Sequence, residues 1–82
     1  MKIPDKISEI AQLISANWPK IYFGSAPYLE AMYSLDSIAD RFGEDSAKVI
    51  LLYFLSNAST WRGEVAKEVK HKLKELISQK SH

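Results

Sequence analysis

"LDSIADRFGEDSAKVILLYF", residues 35–54, falls into two apolar patterns separated by a glycine. Upstream, Tyr28, Ala31, Met32, Leu35, Ile38, Ala39 and Phe42 recur at intervals of three and four, which predicts a helix over 26–42 with Pro27 near its start. Leu29, Tyr33, Asp36 and Asp40 form a second stripe at its edge. Downstream, Ala47 to Leu55 is apolar apart from Lys48 and Tyr53. A central β-strand would also accommodate "KVILLYFL", but the length of the run and the caps around it favour a helix over 45–58. Gly43 suits the C-cap of the earlier helix, and Asp45 or Ser46 the N-cap of the later one.

The same twenty residues resemble a helix-turn-helix. Ile38 and Ala39 match the apolar-then-Ala pair of that motif's first helix, Phe42 and Gly43 its turn, and Val49 and Leu52 the buried positions of its second helix. Glu44 departs from the pattern, because an apolar residue is usual there. The resemblance implies that Asp45, Ser46, Ala47, Ile50 and Leu51 lie on the outer face of the second helix. One acid, one hydroxyl and three apolar groups make none of the bidentate contacts by which Arg or Asn reads base edges, and Asp45 repels phosphate. Outward Ile50 and Leu51 instead imply a surface covered by another helix or another protein.

Toward the N-terminus, Ile3, Ile7, Ile10, Ala11, Ile14 and Trp18 share one side of a helix over 4–17, which Asn17 and Pro19 close. The irregular connection that follows, "NWPKIYFGSAPY", crowds Trp18, Tyr22, Phe23 and Tyr28 together. These rings either plug the open end of a small bundle or form an anchor patch for a partner; the plug is favoured, since a short chain needs the area and Lys20 is the one cation nearby. Toward the C-terminus, Val65, Ala66, Val69, Leu73, Leu76 and Ile77 define the apolar arc of a helix over 60–79, with Ser59 or Thr60 as its cap. Arg62 projects into that arc, so its guanidinium should reach a carboxylate, with Asp36 and Asp40 as the candidate partners in a structural ion pair.

A chain of 82 residues predicts one helical domain over 1–82, and so short a domain buries only about 60% of the surface its unfolded chain exposes. The formal charge of +1 generates no long-range field, although residues 1–44 sum to −2 and residues 45–82 to +3. Without cysteine there is no disulfide, thiolate zinc site or cysteine nucleophile. No apolar stretch is long enough to span a membrane and "MKIPDKISEI" lacks a signal-peptide core, so the expected location is the cytoplasm, with no membrane partner.

Catalytic patterns are weak. The histidines, His71 and His82, stand on a charged helix face and at the terminus, away from any serine that a hydrolase triad would use. Glu64, Glu68 and Glu75 share a solvated face with nothing to split their pKa values. Glu68 and His71 have metal-ligand spacing once, facing outward, where di-metal bundles need it twice, facing inward. No cofactor is expected.

The sequence therefore predicts an all-α, compact four-helix domain with a helix-turn-helix-like middle segment and an aromatic loop. The expected function is a non-enzymatic protein–protein interaction module, with a homodimer as one form it can take, whose surface includes Leu29, Tyr33, Ile50, Leu51, Tyr22 and Phe23. The alternative is a small nucleic-acid-binding or regulatory protein in which Lys67, Lys70 and Lys74 touch phosphates, against which the adjacent carboxylate row on the same helix weighs.

Overall fold

A computed structural model describes residues 2–78. Among these the chain forms four helices and one two-stranded hairpin: α1 (Ile7–Asn17), α2 (Ala26–Met32), β1 (Arg41–Phe42), β2 (Asp45–Ser46), α3 (Ala47–Ser56) and α4 (Glu64–Ser78). The fold is mostly helical, and among the described residues its one regular element other than helix is a hairpin of two two-residue strands. The predicted end of the last helix at residue 79, and His82, lie outside the described residues.

α1 follows the predicted pattern, burying Ile7, Ile10, Ala11 and Ile14. Its N-cap, Lys6, supplies no side-chain acceptor; the first helical amide, that of Ile7, donates instead to the Asp36 carbonyl at 3.1 Å, a cap provided from across the fold. At the other end Pro19 holds Trp18 out of the α region, at φ −130° and ψ 74°.

α2 stops at Met32, ten residues short of the sequence expectation, and the reason lies in "LDSIAD". The Asp40 carboxylate accepts the backbone amides of Asp36 at 2.7 Å and Ser37 at 3.1 Å, while the Ser37 hydroxyl takes the amide of Ala39. Those amides would be helical donors, and side chains of this type offer the backbone a competing set of partners. Leu35 still reaches the core, yet Ala39 and Phe42 are exposed. The helix-turn-helix resemblance fails here, since the segment that should be the motif's first helix is a turn followed by a strand.

Gly43 is the first residue of a two-residue hairpin loop and not a C-cap. Phe42 pairs with Asp45 and Arg41 with Ser46, and Gly43 adopts φ +62° while Glu44 keeps a negative φ, the signature of a type II′ turn. The hairpin delivers Ser46 to the start of α3, where its hydroxyl accepts the Val49 amide at 3.3 Å, as a Ser N-cap should.

α3 is the central helix. It packs against α2 and α4 and buries Ala47, Ile50, Leu51 and Phe54, with Val49 and Leu55 half-buried. α4 is amphipathic as predicted, with Ala66, Val69, Leu73 and Leu76 inward. Its start is later than predicted: the Lys67 amide bonds to the Gly63 carbonyl at 2.9 Å, so Gly63, at φ +115°, caps the helix, and neither Ser59 nor Thr60 does. The N-terminal segment is fastened to α4 by an ion pair between Asp5 and Lys72.

Candidate interaction surface

The crowded rings of the first connection divide into two populations. Trp18 turns inward and stacks on Trp61, with ring centroids 5.5 Å apart and planes 12° apart, while its edge meets Phe54 at 6.2 Å. Trp61 is 4% exposed and its indole N–H donates to the Asn17 carbonyl at 3.2 Å, closing the corner between α1 and α4. Of the four rings expected to plug this end, only Trp18 does so, and its partner is Trp61 from outside the connection.

Tyr22 and Phe23 turn outward. Their rings lie 4.9 Å apart, and Phe23 is 80% exposed, the most solvated large apolar side chain among the described residues. The Tyr22 ring folds back over Gly24, where an added Cβ would stand 2.5 Å from Cε2. That spacing explains the glycine: the backbone there lies directly under a ring.

The next residue ties this loop to α3. Ser25 is fully buried, its hydroxyl donates to the Asn57 carbonyl at the C-terminal end of α3, and it makes no side-chain cap bond to α2. Asn57 in turn donates its side-chain amide to the Tyr53 carbonyl at 2.8 Å. Tyr53 is 52% exposed and stacks on Tyr28 of α2, with centroids 5.3 Å apart. Leu52 beside it is exposed as well. The two ring pairs, Tyr22–Phe23 and Tyr28–Tyr53, and the exposed Leu52 lie on either side of the Ser25–Asn57 bond that joins the start of α2 to the end of α3.

Several residues assigned to a surface from sequence belong elsewhere. Ile50 is 3% exposed and Leu51 0%, because α3 is rotated relative to the helix-turn-helix alignment and presents Lys48, Leu52, Tyr53 and Ser56 outward instead. Leu29 is a core residue. Tyr33 is exposed, but its hydroxyl bonds to Ser15 on α1, away from the α2–α3 face. Leu52 and Tyr53 escaped sequence reasoning, although Tyr53 as a polar-tipped residue in an apolar run was the available signal.

The Arg62 pairing with Asp36 and Asp40 is also absent. Asp36 pairs with Lys6 at 3.7 Å, and Asp40 is occupied by the turn amides, which hold its carboxyl below the usual aspartate range. Arg62 is exposed and, among the described residues, makes no ion pair. The wheel that placed it in the core assumed a helix from residue 60, whereas Arg62 precedes Gly63 and lies outside the helix.

The three lysines diverge. Lys67 and Lys74 are exposed; Lys70 is half-buried and donates to the Trp61 carbonyl at 2.7 Å. Burial, reinforced by Lys74 and Arg62, pushes the Lys70 ammonium below its ordinary pKa. His71 and Glu75 approach at 3.8 Å at i,i+4 along the helix, and Lys72 pairs with Asp5. Among the described residues no group of three or more His, Asp or Glu is placed to hold a metal ion, and no helix is long and apolar enough to cross a membrane. Comparison of the chain with protein families, curated proteins and solved structures returns no significant match.

Proposed function

We propose that the chain is a non-enzymatic protein–protein interaction module whose contact face is formed by Tyr22, Phe23, Tyr28, Leu52 and Tyr53, and that a second copy of the chain is its first partner. The observation that carries this reading is the solvation of Phe23 beside Tyr22 and the Tyr28–Tyr53 stack, in a chain short enough to need its aromatic rings inside. Aromatic residues of this kind anchor interfaces because they supply large area at little cost in side-chain freedom. Apolar rings with hydroxyl tips are complementary to themselves, so two copies can cover each other's face.

Sedimentation equilibrium from micromolar to millimolar concentration tests the reading. A reversible dimer that becomes monomeric in the double variant Phe23→Ser, Tyr53→Ser is the expected outcome. A wild-type chain that stays monomeric throughout, or a dimer indifferent to both substitutions, overturns the homodimer on this face.

A further inference from the structure

At the turn into α4, Trp61, Arg62, Gly63, Glu64, Ala66, Lys67 and Lys70 line one open concavity. Its charge is lopsided: three cations against the single carboxylate of Glu64, in a chain whose total is +1. Arg62, Lys67 and Lys70 make no ion pair among the described residues, so the concavity carries an excess of positive charge over its one carboxylate. The Lys70 ammonium donates to the Trp61 carbonyl, which holds it at the concavity. A fixed, half-buried cation with two exposed cations beside it is an arrangement that raises the energy of the free protein and is relieved by an anion.

The backbone adds donors to the same place. Gly63 has no side chain with which to cap α4, and among the described residues no acceptor takes the amides of Glu64, Val65 or Ala66. Amides at this end also favour negative charge, so cations gathered here sit at the unfavourable end of the helix dipole unless an anion joins them.

We propose that this concavity binds a phosphate group, with the Arg62 guanidinium and the Lys67 ammonium engaging its oxygens and Lys70 providing the fixed charge. The planar fork of Arg62 suits two oxygens of one phosphate, and Lys67 acts as a point charge. Recognition stops at the phosphate, because Trp61 is buried against Trp18 and offers no free ring on which a base could stack. The site is separate from the aromatic face and does not depend on the homodimer.

The test is an amide-resolved NMR titration of the full chain with inorganic phosphate at constant ionic strength, with sodium chloride as the matched control. Saturable shifts confined to residues 62–70 are expected, weakened about tenfold by Arg62→Gln and by Lys67→Gln, as for loss of a charge-assisted hydrogen bond, and unchanged by Lys2→Gln. All three substitutions are at exposed positions, and the dispersion of the free spectra shows that each variant is folded. Shifts that do not saturate, that chloride reproduces, or that survive both substitutions would overturn the site. A short DNA duplex identifies the source: displacement of inorganic phosphate by the duplex assigns the site to nucleic-acid backbone, and failure to displace it assigns the site to a small phosphorylated ligand.

Discussion

Two aromatic clusters sit at the two ends of one short connection, and they have opposite fates. Trp18, joined by Trp61 and Phe54, is sealed beneath the α1–α4 corner, whereas Tyr22 and Phe23, four and five residues further on, stand in solvent beside Tyr28 and Tyr53. The buried cluster is two tryptophans and a phenylalanine, and the displayed one three tyrosines and a phenylalanine. What separates them is where hydrogen bonds anchor the backbone. The Asn17 carbonyl accepts the Trp61 indole N–H, while the Ser25–Asn57 bond ties the chain to α3 and the Tyr22 ring lies over Gly24 on the outer side. Aromatic residues therefore stabilise the first cluster and are displayed by the second.

The contrast breaks most visibly at Trp61. Trp61→Ala removes a buried ring, its stack on Trp18 and an indole hydrogen bond, and should lower the unfolding free energy by about 3–5 kcal/mol, read from urea denaturation followed at the helical circular dichroism band. Ser25→Ala should follow. It leaves the Asn57 carbonyl without its buried donor, at a cost of about 1–3 kcal/mol, and loosens the join of α2 to α3 between the exposed ring pairs, so self-association should weaken along with stability.

Acid sharpens the comparison, because neither cluster contains a carboxylate. Asp40 is held below the ordinary aspartate range by the amides of Asp36 and Ser37, and Asp5 by its bond to Lys72. Folded-state values below the unfolded ones give stabilisation that is complete above about pH 4 and is lost as pH falls through the folded values. Asp40→Asn keeps an acceptor and removes the proton, so its stability should fall less steeply with acid than that of the wild type. The smallest effect on stability belongs to Phe23→Ser, which should stay within about 0.5 kcal/mol of the wild type in the same urea experiment while abolishing the dimer. A large destabilisation by Phe23→Ser would show that the two clusters are not distinct.

α1, α3 and α4 were legible in the sequence, since each carries an apolar arc at helical spacing and the tertiary structure buries that arc. The end of α2 was not, because a periodic stripe through Leu35, Ile38, Ala39 and Phe42 gives no warning that Asp40 will take the amides the helix requires. The aromatic face was half legible. Tyr22 and Phe23 were identified from crowding in an irregular segment, but Ile50 and Leu51 were assigned in place of Leu52 and Tyr53 by a motif alignment that set the rotation of α3. Rotation is fixed by which neighbours the helix packs on, and here α2 and α4 both claim the Ile50 and Leu51 side. Arg62 was misread through one boundary. Gly63, readable as a helix start, would have placed it outside the wheel.

The stacked indoles also give the molecule a local optical reporter. They are the only tryptophans in the chain, and both belong to the same corner. Selectively excited indole emission, and the coupled near-ultraviolet dichroism of two nearly parallel indoles, therefore follow the corner where α1 meets α4 and Phe54. Three of the four tyrosines, Tyr22, Tyr28 and Tyr53, belong to the displayed face, so its covering registers chiefly in the tyrosine band while the indole band registers the corner.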